Sequence, residues 1–167
     1  AITKHGNHAE LVAVCDTDPA ALERAQAATG VPGFRSLTEL LAGSSADAII
    51  LATPSGLHAS QTIEAAQAGR HVVTEKPMAT RWSDGQAMVH ACDQAGVRLF
   101  VVKQNRRNAT IQLLKRAVDK QRFGQVYMVN VNVFWNRPQS YYDSAPWRGT
   151  WEFDGGAFMN QASHYVD

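Results

Sequence analysis

Cysteine is scarce in this chain. Its 167 residues hold two, Cys15 and Cys92, too few for a disulfide scaffold and without metal-ligand spacing. The sequence therefore predicts no metal centre and a reducing compartment, the cytoplasm. Long hydrophobic runs are missing as well: none approaches the roughly 20 residues of a membrane span, and no signal-peptide pattern opens the chain. Neither sign of charge is in excess. Sixteen Lys+Arg against 15 Asp+Glu leave a formal +1, which gives no field to hold nucleic acid or an anionic membrane surface. What remains is an ordinary globular composition, 45% hydrophobic and 19% charged, long enough for one domain and the start of a second.

Short apolar runs recur. Leu11 to Cys15, Ala48 to Ala52, His71 to Thr74 and Val97 to Val102 are brief, rich in β-branched residues and bounded by polar residues, as strands buried on both faces are. Helix signals separate them. Asp18 as N-cap, Pro19 at the first helical position and Gly30 at the end predict a helix over Pro19 to Thr29. Ser36 and Glu39 form a capping-box pattern for a short helix to about Ala42, and the patterns Leu57 to Ala68 and Ser83 to Ala95 stop at Gly69 and Gly96. A further helix is expected near Asn108 to Lys120, and Val126 to Trp135 reads as a long strand of different character.

Strands and helices alternating through short connections predict right-handed βαβ units, hence an α/β fold with a doubly wound parallel sheet, the Rossmann arrangement. The stretch after Gly124 predicts a second α/β domain with an open, mostly antiparallel sheet. The expected division is residues 1–103 and residues 104–167. A Gly-x-Gly-x-x-Gly turn, which lets backbone approach a pyrophosphate at the head of such a sheet, does not occur. The expectation is an internal fragment that lacks the first strand and carries an incomplete second domain.

Ligands of open α/β sheets lie outside the carboxyl ends of the strands, so position ranks the candidates. Asp16 ends the first strand, where a carboxylate accepts hydrogen bonds from adenosine ribose hydroxyls and disfavours the extra phosphate of NADP. Asp18-Pro19 already accounts for the turn, which leaves Asp16 for the ribose and predicts NAD as cofactor. Thr53-Pro54-Ser55-Gly56-Leu57-His58 follows the second strand at a helix start, whose dipole favours phosphate, so Thr53, Pro54, Ser55 and His58 form a candidate cofactor wall. Capping or surface decoration is an equal reading of His58. Glu75-Lys76-Pro77 follows the third strand. There Lys76, fixed by the proline behind it, would project its ammonium into the same cleft and stabilise the alkoxide that develops as hydride leaves an alcohol.

Asp16-Thr17-Asp18, Ala52-Thr53-Pro54 through His58, Glu75-Lys76-Pro77, and the closing run Gly155-Gly156-Ala157-Phe158-Met159-Asn160-Gln161-Ala162-Ser163-His164 stand in an order and at intervals that resemble the Gfo/Idh/MocA oxidoreductase family, over essentially the whole chain. The resemblance implies a nucleotide-binding domain followed by a substrate domain whose sheet also carries oligomer contacts, hence a homo-oligomer, dimer or tetramer. It implies that Lys76 touches both cofactor and substrate and that His164 is the proton acceptor. Family members commonly have aspartate four residues before that histidine; this chain has Asn160. If the segment is helical, Asn160 and His164 share a face. An asparagine orients a hydroxyl but brings no negative charge to a neighbouring base, so the base is His164 alone or His164 together with Lys76.

Within the family, Lys103-Gln104-Asn105-Arg106-Arg107, Phe134-Trp135-Asn136-Arg137-Pro138, Tyr141-Tyr142 and Pro146-Trp147-Arg148-Gly149-Thr150-Trp151 resemble the WlbA/WbpB branch. Those enzymes oxidise UDP-N-acetylglucosaminuronate at the third sugar carbon, toward aminosugars of lipopolysaccharide O-antigen. This narrower resemblance implies cofactor contacts from Glu75, Gln104, Trp147 and Arg148, and substrate contacts from Arg137, Tyr141, Tyr142, Asn160 and His164. Arg137, Arg148 and Arg106 offer forks for a carboxylate or phosphates, and the aromatics offer faces for uracil or sugar. Which arginine meets which anion stays open. Two rivals are carried forward: a dehydrogenase of a free sugar or polyol, and a non-catalytic NAD- or sugar-sensing regulator on the same fold.

Overall fold

The structure, a computed structural model, describes residues 8–167. The chain runs β1 (Val14–Cys15), α1 (Pro19–Thr29), β2 (Gly33–Phe34), α2 (Leu37–Gly43), β3 (Ala48–Leu51), α3 (His58–Gln67), β4 (His71–Thr74), α4 (Trp82–Ala95), β5 (Leu99–Val101), α5 (Ala109–Asp119), α6 (Gln139–Asp143) and α7 (Ser163–Val166). A 3-10 turn, Ser55–Leu57, leads into α3 and another, Gln104–Arg107, leads into α5. A wider π turn, Phe158–Ala162, leads into α7.

The local signals account for these starts. The Asp18 carboxylate accepts from the Ala20 amide at 3.0 Å and Pro19 opens α1. Ser36 Oγ accepts from the Glu39 amide at 3.1 Å, while Glu39 Oε2 accepts from the Arg35 amide at 3.0 Å, one residue before the position at which a capping box closes.

β1 and β2 pair in parallel, with Val14 opposite Gly33 and Cys15 opposite Phe34. β3, β4 and β5 form a second sheet in that order. The Val72 amide donates to the Arg98 carbonyl and the Val102 amide to the Thr74 carbonyl, both at 2.9 Å. These bonds advance together along the two strands, so β4 and β5 are also parallel. In the doubly wound order 3-2-1-4-5-6, β2 and β1 occupy positions 3 and 2, and β3 to β5 occupy positions 4 to 6. Among the described residues no strand joins β1 to β3.

Leu40 of α2, Ile49 and Leu51 of β3, Ala65 of α3 and Val72 of β4 form a buried cluster, with Val12, Phe34, Leu37 and Leu99 packed at its margin. Each large aliphatic side chain so buried contributes about 1.5–3 kcal/mol. The expectation of strands buried on both faces needs correcting. Ile49 and Leu51 are buried, but Ala48 and Ile50 between them are exposed, as is Cys15. Helices α2 and α3 supply their apolar residues to one side only, and no described element covers Ile50.

A second correction concerns Val126 to Trp135, expected to begin an antiparallel sheet. No strand forms there, and Tyr127 and Phe134 are each 90% exposed. A strand exists only where a neighbour accepts and donates its backbone bonds, and none of the described residues does so for this stretch. The apolar residues Ile111, Leu114 and Val118, spaced along one stripe of α5, are exposed too.

Two compact units interleave along the chain. One runs up to Leu51 and adds Ser60–Val73 and Ala87–Leu99; the other takes Ala52–Ala59, Thr74–Gln86 and Phe100–Asp167. The first holds the buried cluster. The second gathers the segments that follow the carboxyl ends of β3, β4 and β5 together with the C-terminal third of the chain.

Candidate active site

The segment after β4 is held from two sides. Glu75 Oε2 accepts from the Lys76 amide at 3.2 Å, and the Lys76-Pro77 peptide is cis. The Pro77 carbonyl lies 2.9 Å from His58 Nδ1, and His58 Nε2 lies 3.0 Å from the Thr53 carbonyl. The imidazole thus spans the loops after β3 and β4, and it is 1% exposed. A neutral ring donates to one of these carbonyls, a doubly protonated ring to both. His58 was expected as part of a cofactor wall. Both ring nitrogens face backbone carbonyls inside the protein, so the ring braces these two loops. Ser55 is buried as well, whereas Thr53 is exposed and Pro54 half-buried. Gly56 is needed at this turn. A Cβ there would overlap the Glu152 carbonyl and press on Phe153, whose carbonyl accepts from the Gly56 amide at 3.2 Å.

Lys76 Nζ donates to Asn160 twice, to its carbonyl at 2.6 Å and to its Oδ1 at 3.1 Å. Asn160 is buried in the π turn, and Gln161 Nε2 donates to the same Oδ1 at 3.0 Å. The other end of the Asn160 amide donates to Asp154 Oδ1. Asp154 Oδ2 accepts from the Gly149 amide at 2.8 Å, and the residue is 4% exposed. Gly155 and Gly156 follow at φ 75° each, a conformation that side chains rarely adopt, and a Cβ on either would lie 3.0 Å from Met159 or Trp151. Asp154 was not singled out from sequence; a lone acid before Gly-Gly carries no spacing signal.

His164, on α7, has Gln104 Nε2 3.4 Å from its Nε2, while its Nδ1 is buried without a partner among the described residues. Desolvation, then the positive charges of Lys76 and Lys103, hold its imidazole below the ordinary histidine range, against the pull of Asp167 and Glu75. Lys76 is also pushed down. Desolvation is again the largest cause, opposed by Glu75 and Asp154 and reinforced by Lys103 and Arg137. The cluster suits proton transfer: an imidazole held low by burial and neighbouring positive charge, beside a lysine whose lowering by burial two carboxylates oppose.

Arg137 and Arg148 bracket one ring. Their guanidinium carbons lie 5.0 Å and 4.4 Å from the Tyr141 centroid, and each is 4.8 Å from a second ring, Trp135 and Trp147 respectively. Tyr142 meets Tyr141 edge-on at 5.2 Å. Arg137 Nη2 donates to Gln161 Oε1 at 3.1 Å, yet Nε of both arginines is buried without a partner among the described residues. The third fork is taken. Arg106 donates to both oxygens of Asp167, at 2.7 Å and 2.6 Å, and this pair holds the Asp167 carboxyl below the usual range.

Asp16 lies in the other unit, exposed at the end of β1. The argument that it is spare needs correcting. Its Oδ1 accepts from the Asp18 amide at 2.9 Å, so it helps to form the turn, and the second oxygen is what it can offer a ligand. Among the described residues no group of three or more His, Cys, Asp or Glu could hold a metal ion, and no helix is long and apolar enough to cross a membrane.

Residues 1–103 match the family described as an oxidoreductase family with an NAD-binding Rossmann fold, and residues 111–167 match the GFO/IDH/MocA C-terminal domain. The WlbA dehydrogenase of Bordetella pertussis, crystallised with NADH and UDP-GlcNAcA, is 70% identical with a TM-score of 0.96, over 99% of this chain and 48% of that one. The WlbA dehydrogenase of Chromobacterium violaceum, crystallised with the same two molecules, is 68% identical with the same TM-score and coverage. A 1-carboxy-3-chloro-3,4-dihydroxycyclohexa-1,5-diene dehydrogenase of Comamonas testosteroni is 31% identical over 95% of this chain and 40% of its own length. The chain thus spans less than half the length of each of these relatives.

Proposed function

Given that the chain belongs to the Gfo/Idh/MocA oxidoreductase family, we propose that the whole protein is an NAD-dependent dehydrogenase that oxidises the third-carbon hydroxyl of UDP-N-acetylglucosaminuronate. The observation that carries this reading is the Lys76, Asn160 and His164 cluster beyond the end of β4. The substrate class is supported by the two WlbA relatives crystallised with NADH and UDP-GlcNAcA. In this reading residues 1–103 are the NAD-binding domain and residues 104–167 begin the substrate domain. The protein is a cytoplasmic homo-oligomer, dimer or tetramer, serving lipopolysaccharide O-antigen sugar synthesis.

The residues fit both molecules chemically. Asp16 keeps one exposed carboxylate oxygen for ribose hydroxyls, and Thr53, Pro54, Glu75, Gln104, Trp147 and Arg148 complete the proposed cofactor contacts. Unpartnered Nε atoms on Arg137 and Arg148, beside Tyr141 and Tyr142, suit a ligand carrying a carboxylate and phosphates. NAD, when bound, supplies the acceptor for the hydride that leaves the sugar carbon. His164 takes the hydroxyl proton as the carbonyl forms. Lys76 holds its ammonium against the developing alkoxide, and Asn160 fixes that ammonium through two hydrogen bonds.

The test follows reduced-nicotinamide absorbance with the full-length protein and UDP-N-acetylglucosaminuronate. Turnover with wild type and a loss of about 100-fold or more in Lys76→Met are expected. Equal turnover by Lys76→Met would overturn the catalytic assignment. Turnover on free sugars or polyols alone would overturn the substrate.

A further inference from the structure

We propose that Asp154 is a positioning residue for the reaction, supplying through Asn160 the negative charge that an aspartate at position 160 would bring directly. The inference rests on the proposed dehydrogenase reading only for its effect on rate; the network itself is independent of it. One amide joins the two charges. Asn160 Nδ2 donates to Asp154 Oδ1, while Asn160 Oδ1 accepts from Lys76 Nζ at 3.1 Å and from Gln161 Nε2 at 3.0 Å. These partners leave one orientation for the amide. Turned over, it would point its NH2 at an ammonium and its carbonyl at a carboxylate.

Asp154 is 4% exposed, and a carboxylate so buried persists only with donors around it. It has two, the Gly149 amide at 2.8 Å and the Asn160 side chain. The left-handed pair Gly155-Gly156 turns the chain so that residue 160 comes back onto residue 154. The carboxylate therefore opposes the desolvation of Lys76 from one residue further away than a direct partner would. Two consequences follow. Lys76 is lowered less than burial alone would lower it, and Asn160 is held with its acceptor toward Nζ. A direct aspartate at 160 would do the first by contact, but it would also compete for the substrate hydroxyl.

The experiment uses the full-length protein and three variants: Asp154→Asn, Asn160→Asp, and the exchange variant that carries both. Trace acetylation of Lys76 against pH, read by mass spectrometry, reports the fraction of free amine and requires no turnover. Asp154→Asn removes a charge that raises Lys76, so the free amine and its labelling at fixed neutral pH should rise about threefold to tenfold. The exchange variant, with its carboxylate in direct contact, should return labelling to the wild-type curve or below it. With active protein, kcat should fall in Asp154→Asn with little change in KM, and the exchange variant should recover most of it.

A residue that served only to hold the loop would lower the melting temperature of Asp154→Asn and leave the labelling curve in place. That result overturns the proposal. If Asp154→Asn does not fold, the exchange variant decides alone: labelling at or below wild type supports the proposal and raised labelling overturns it. If no nucleotide sugar is turned over by wild type, the dehydrogenase reading fails while the labelling arm still tests Asp154.

Discussion

Replacing His58 by phenylalanine separates a cofactor contact from an internal strut. The ring is 1% exposed, and its nitrogens lie 2.9 Å and 3.0 Å from the Pro77 and Thr53 carbonyls. A phenyl ring nearly preserves the volume, so the cavity contribution is small. What is lost is the hydrogen bond that a neutral ring donates to one of the two carbonyls, which is left unsatisfied at about 1–3 kcal/mol. Against a typical stability of about 5–15 kcal/mol, that is a large fraction. Urea unfolding of the full-length protein, followed by tryptophan fluorescence, should show a much lower midpoint with unchanged slope. NADH binding below the transition, measured by titration, should change less than the midpoint does. A His58→Phe protein with the wild-type midpoint but weakened NADH binding would refute the reasoning and return His58 to the cofactor wall.

The His164 imidazole should titrate closer to the ordinary value of about 6.5 in Lys76→Met. Removing a neighbouring positive charge raises a histidine, while the remaining desolvation keeps it somewhat low. Proton NMR of the full-length protein against pH measures this, and an unchanged or lower value counts against the arrangement. In wild type, a base held below 6.5 stays deprotonated further into acid, so the acid limb of kcat/KM should fall below pH 6.5. Asp16→Asn keeps an oxygen for the Asp18 amide but removes the charge. The ratio of kcat/KM for NAD over NADP should therefore drop about tenfold with an unchanged melting temperature, and an unaltered ratio would remove Asp16 from the ribose.

Element positions were legible where the signal is local. Asp18-Pro19 and Ser36 with Glu39 cap helices through bonds within four residues, and such bonds follow from the sequence alone. The parallel pairing and the position of Lys76 after β4 followed from alternation and strand ends. Burial of Ile50 and strand formation at Val126 to Trp135 were not legible, because both depend on what stands alongside and not on the run itself. The same limit hid Asp154. Its partners are a backbone amide five residues back and a side chain six residues on, joined by two left-handed glycines that leave no period to read. His58 shows another limit: its place near a strand end was legible, but position does not reveal which way a ring faces.

The π turn at Phe158–Ala162 makes residue count part of the chemistry. Such a turn closes from i to i+5 and takes one residue more than an α turn. The wide turn takes up its extra residue locally, so shortening this stretch by one would let it close as an ordinary helix and move Asn160 from its place between Asp154 and Lys76, with every named side chain still present. Substitution scanning cannot detect that dependence, since no exchange of side chains alters the count. Between the carboxylate and the imidazole, the length of this segment is therefore constrained as strictly as the identities of its residues.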